Sequence, residues 1–176
     1  MMNRSSLKWI TIALAIVMFL AFGIPMVDRI VSKGGNDFYS YDATHPEMVV
    51  ARLSAVESLD HFQDVLASDS SGQDFFVDVR AFTEQGGYEV VRLMDVRFPD
   101  GDSVSGTVSH ETLNPLKGGL AMGSRLVASQ RDIVDWSYRA DGKLRGNFSL
   151  RVLLELEDEA VQRDILAELH EDPVPK

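Results

Sequence analysis

Phe75-Phe76-Val77-Asp78-Val79-Arg80-Ala81, interrupted by Gln85-Gly86-Gly87 and resumed as Tyr88-Glu89-Val90-Val91-Arg92-Leu93-Met94-Asp95-Val96, reads as two strands joined by a short turn. Phe75, Val77, Val79 and Ala81 alternate with polar neighbours, the period of a strand with one buried face. Tyr88, Val90, Arg92, Met94 and Val96 offer a second alternating run, so an antiparallel pair is expected. Phe98-Pro99-Asp100-Gly101-Asp102 has turn composition, and Val104, Gly106 and Val108 follow as a third strand.

On the N-terminal side, Val49, Leu53, Val56, Leu59, Phe62 and Leu66 recur at steps of three and four, which predicts one amphipathic helix over about Pro46 to Ala67. Thr44 stands ahead of Pro46 and Glu47 in the order of a capping box. On the C-terminal side, His110 to Gly119 reads as a loop, Ser124 to Ala128 as a short strand and Ile133 to Arg139 as a longer one, closed by Ala140-Asp141-Gly142. Phe148 to Leu156 fits a strand or a helix by period, and the helix is the preferred reading. Val161, Ile165 and Leu169 mark a C-terminal helix that ends near Glu171, before Pro173 and Pro175. Strands grouped together between helices predict an α+β fold: an antiparallel, curved β-meander packed by an N-terminal and a C-terminal helix.

Trp9 to Val27 is almost wholly apolar, and nineteen residues at about 1.5 Å each cover roughly 28 Å, enough to span a bilayer as one transmembrane helix. Arg4 and Lys8 precede the run, which places the N-terminus in the cytoplasm and the remainder outside. The alternative is a signal peptide cleaved after Ala21-Phe22-Gly23 and a secreted product. Residues 1–31 are thus read as anchor or signal, 32–43 as a glycine and polar linker, and 44–172 as one domain. Arg4, Lys8, Arg29 and Lys33 against Asp28 contribute +3 of a total of −10, leaving −13 on the rest. A surface of that sign repels phosphate backbones, so nucleic acid is excluded as a partner. With no cysteine there are no disulfides, thiolate metal sites or thiol nucleophiles.

His45, His61, His110 and His170 lie too far apart for ligand spacing, so no metal and no cofactor are expected. His61 follows Glu57 by four residues and reads as a solvent-facing pair. Ser109 beside His110 is not a triad, because adjacent strand residues point to opposite faces. Asp132-Ile133-Val134-Asp135-Trp136-Ser137-Tyr138 is the densest cluster of chemically versatile side chains. Its two carboxylates would serve as acid and base only if one were desolvated.

Asn114-Pro115, Gly123, Asp132 through Tyr138, Gly142, and Gly146-Asn147-Phe148-Ser149-Leu150-Arg151-Val152-Leu153-Leu154 resemble the spine of the YegJ-like bacterial domain of unknown function, the DUF2314 family. His45-Pro46-Glu47-Met48 resembles that family's opening, and the likeness runs from about Thr44 to Glu171. The chain departs from it at Val90 to Met94, where relatives tend to carry a tryptophan, and at Asp78 to Arg80, where a lysine is expected. The resemblance implies a domain boundary and no established activity, while the apolar leader implies, for a bacterial cell, an inner-membrane anchor with the domain periplasmic or extracellular.

The resulting expectation is a non-enzymatic interaction module with a protein partner, anchored in the membrane through residues 9–27. Its binding residues are expected to be Asn114, Asp132, Asp135, Trp136 and Arg151, since tryptophan and arginine are enriched at binding hot spots. No catalytic residue is assigned. The alternatives are a hydrolase-like enzyme using Asp132 and Asp135, and an immunity-type protein that neutralises a basic partner through its acidic surface.

Overall fold

The computed structural model describes residues 45–68 and 74–175, all within the compact unit Tyr41–Lys176. The apolar run Trp9 to Val27, the linker and Thr44 lie outside the described residues. Among the described residues no helix is long and apolar enough to cross a membrane.

The elements run α1 (Pro46–Glu57), α2 (Leu59–Ser68), β1 (Phe76–Phe82), β2 (Tyr88–Arg97), β3 (Ser103–Val108), β4 (Arg125–Ser129), β5 (Ile133–Ala140), β6 (Lys143–Gly146), α3 (Phe148–Leu154) and α4 (Glu159–Glu168). The fold is α+β. All six strands pair antiparallel in the order β4-β3-β2-β1-β5-β6. The first four strands form the expected meander. β5 then returns to the far side of β1, and β6, which the sequence reading passed over, closes a hairpin with it through Asp141-Gly142.

The β1–β2 register pairs Val77 with Leu93, Asp78 with Arg92, Val79 with Val91 and Phe82 with Tyr88. Paired residues share a face, so Val91 and Leu93 point to the core with Val77 and Val79. This corrects the expected phase of β2 as far as Met94; past the irregularity between Met94 and Arg97, where Asp95 takes a positive φ, the expected Val96 is in the core. Tyr88, Val90 and Met94 are exposed, and the core residues are the ones between them. Both sets are apolar, and only the partner strand separates them.

The helix expected over Pro46 to Ala67 is broken at Ser58, whose hydroxyl and N–H both turn back to the Ser54 carbonyl. Such back-bonding by serine bends helices. The break lets α2 bury Leu59 and Phe62, while α1 buries only Ala51 and Ala55. Small residues on the inner face allow α1 to come close enough for Trp136 Nε1 to donate to the Ala55 carbonyl at 2.8 Å. Val49, Leu53 and Val56, expected in the core, are therefore on the outside. Phe62, Phe75, Trp136, Tyr138 and Phe148 stack beneath the helices with ring centroids 5.3–6.3 Å apart. The second helix in the packing is α3, laid against α1. The C-terminal helix α4, expected to fill that place, buries only Ile165.

Candidate functional site: the groove between the first helix and the short third helix

Gly146 ends β6 with φ +73°, and a Cβ built there would lie 2.1 Å from the Trp136 carbonyl oxygen. Asn147 follows in the left-handed region and donates its N–H to that same oxygen at 2.9 Å. The chain then turns directly into α3. Asp135 accepts from the N–H groups of Phe148 at 3.2 Å and Ser149 at 2.8 Å, and from Trp136 at 2.8 Å. It thus does for α3 what an N-cap side chain does, satisfying first-turn donors and opposing the helix dipole, although it comes from a neighbouring strand.

Asp135 is only 3% exposed, and burial raises its carboxyl to about 6. The negative charge of Asp78, opposite it across the β1–β5 ladder, adds to the rise, and the three N–H donors oppose it. Asp78 is itself gripped by Arg92 through two bonds of 2.8 Å, a fork that fixes both groups on the sheet.

One helical turn into α3, Arg151 donates from Nε to the Gly146 carbonyl at 3.0 Å and from Nη2 to the His170 carbonyl at 2.8 Å. Burial lowers its pKa, with Asp135 and Asp172 pulling the other way. Arg151 lines an open groove of about 340 Å³ whose floor and walls include Pro46, Val50, Ala51, Phe148 and Val152. Glu47 on α1 and Glu155 just past α3 also line it. The outer face of α1 continues the apolar surface through Val49, Val50 (61% exposed), Leu53 (54% exposed) and Val56.

Of the five residues expected to bind, three converge here, two of them from beneath. Trp136 is 1% exposed and holds α1 from below, so no partner reaches it in this fold, and Asp135 holds the start of α3 in the same hidden way. Arg151 alone borders the groove. Asn114 lies elsewhere, in the loop after β3, where its N–H and Nδ2 bond the Glu89 carboxylate. Asp132 is paired with Arg80 at 3.0 Å.

Asp132 and Asp135 therefore have separate partners, and the carboxylate facing Asp135 is Asp78. His61 does not pair with Glu57 at the surface. Its Nε2 meets the Tyr138 hydroxyl at 2.8 Å, 77 residues along the chain. Sequence reasoning missed Asp78, Arg92 and the apolar groove residues. Two opposite charges equidistant from the Gln85 turn were the available signal for the first pair.

Among the described residues no group of three His, Asp or Glu side chains could hold a metal ion. No curated protein and no solved structure matches the chain. Residues 45–164, from the start of α1 into α4, match the family described as an uncharacterized protein conserved in bacteria, DUF2314, and the chain belongs to that family.

Proposed function

We propose that the domain is a non-enzymatic interaction module that receives an amphipathic helix of a protein partner in the groove between α1 and α3. The observation that carries this reading is the outward apolar stripe of α1, since Val49, Val50, Leu53 and Val56 form a continuous exposed row beside an apolar groove. Helix-in-groove recognition uses apolar anchors at this spacing. Glu47 and Glu155, within a region of net charge −13, favour basic flanks on the incoming helix and fast, salt-sensitive association. That charge also accommodates neutralisation of a basic partner. The enzyme alternative draws no support from Asp135, which is buried with three backbone donors and sits apart from the ion-paired Asp132.

The proposed setting is the outer face of the bacterial inner membrane, with Trp9 to Val27 as the anchor. Protease added to intact spheroplasts is expected to digest the domain, and protection would place it on the other side. The groove is tested by a photo-crosslinking residue at Leu53 in the full-length chain in cells. A discrete adduct, lost on adding Val50→Asp and weakened by salt after purification, is the expected result. An adduct pattern identical to that from exposed Arg163 on α4 would overturn the reading.

A further inference from the structure

The two borders of the sheet are not alike. β6 is covered by the chain end: His170 donates to the Leu144 carbonyl at 2.9 Å, Leu144 bridges Leu169 in parallel, and Gly146 donates to the Pro173 carbonyl at 3.0 Å. Among the described residues no strand pairs with the outer side of β4.

Its unpaired groups can be identified. Val108 donates to the Ser124 carbonyl and Gln130 donates to the Asp102 carbonyl, both at 2.9 Å. The β3–β4 ladder runs from Ser103 opposite Ser129 to Thr107 opposite Arg125 without a shift. Even-numbered residues from 124 to 130 therefore turn their backbone groups toward β3, and Arg125, Val127 and Ser129 turn theirs outward. The side chains of these three also share a face, the one that carries Met94 and Thr107, and Val127 is 63% exposed. An open strand border with a large apolar side chain at its middle is a template for strand addition.

The border is self-complementary. Laid antiparallel on itself about Val127, it sets Val127 against Val127, Arg125 against Ser129 and Leu126 against Ala128. This is the register that uses all three outward residues in hydrogen-bonded pairs and sets no arginine against an arginine. The Arg125 guanidinium is drawn back to Ser105 Oγ at 2.9 Å, clear of the axis. A two-fold contact of this kind is isologous and closes on itself. We propose that two copies of the chain associate through this border, β4 pairing with β4 about a two-fold axis at Val127, to make one continuous sheet. The contact is independent of the helical groove.

The chain has no cysteine, so each introduced thiol is unique. Across a hydrogen-bonded antiparallel pair the Cα atoms stand about 5.5 Å apart, within disulfide reach. Under mild oxidation the full-length Val127→Cys protein is expected to form a covalent dimer at least about tenfold faster than Arg125→Cys or the exposed Met122→Cys. Arg125→Cys mixed with Ser129→Cys is expected to cross-link as a heterodimer. Val127→Lys, which sets like charges opposite each other at the axis, is expected to halve the sedimenting mass with an unchanged circular dichroism spectrum. A Val127→Cys protein that stays monomeric, that links no faster than the two controls, or that links to a different polypeptide overturns the proposal, as does a Val127→Lys protein that remains dimeric.

Discussion

A methyl group at Gly146 has no room, because it would fall on the Trp136 carbonyl and ring while the backbone holds a positive φ. Gly146→Ala is expected to cost about 3 kcal/mol or more in urea unfolding, since neither backbone nor a buried indole can yield cheaply. Trp136→Ala removes the centre of the aromatic stack and the bond to Ala55, and a loss of about 3–5 kcal/mol is expected by the same measurement.

Asp135 gives a pH signature. Its folded pKa of about 6 lies above the ordinary carboxyl value of 3.8, so folding takes up a proton between these values. Its contribution therefore grows as pH falls from above 6 towards 4, by on the order of 2 kcal/mol. Asp135→Asn is expected to abolish this rise, read as the difference between wild-type and variant unfolding curves at pH 7.5 and pH 5.

At the scale of elements, α1 separates exposed bulk from buried smallness. Leu53→Glu is expected to change stability by less than about 0.5 kcal/mol, because the side chain is already in water. Ala55→Leu is expected to cost about 1–3 kcal/mol by forcing α1 off the indole. Thermal melts of the two variants test the orientation of the helix directly.

The same contrast explains what the sequence could disclose. β1 was legible because Val77, Val79 and Ala81 alternate with Asp78 and Arg80 through its middle, and β5 and the short α3 fell close to where period and composition placed them. The phase of β2 was hidden because Val90 and Met94 are as apolar as Val91 and Leu93. The facing of α1 was hidden because large residues normally mark the core, whereas here the buried residues are Ala51 and Ala55, which allow close approach. At the site, Asp135 and Trp136 belonged to one dense motif and Arg151 to a separate stretch of the family resemblance, and the β5–β6–α3 turn brings the three together. Their division into wall and foundation was not visible, because it depends on a turn at Gly146 that only the β5–β6 pairing reveals.

At the scale of the whole molecule, the chain end acts as a border strip. Residues Leu169 to Pro173 bond β6, Arg145 donates to the Asp172 carbonyl at 3.0 Å, and Arg151 reaches His170 from the far side. Removing residues 169–175 uncovers Leu144 and strips Arg151 of one of its two carbonyl partners, leaving Gly146. A lower melting temperature, with species larger than a dimer in sedimentation, is the expected outcome.

That strip also sets the valence of the molecule. A sheet with two bare borders adds neighbours without limit and grows into a fibre, whereas one with a single bare border is satisfied by its first neighbour. With β6 sealed by the last residues, β4 is the one bare strand border among the described residues, so growth by strand addition is expected to stop at a pair.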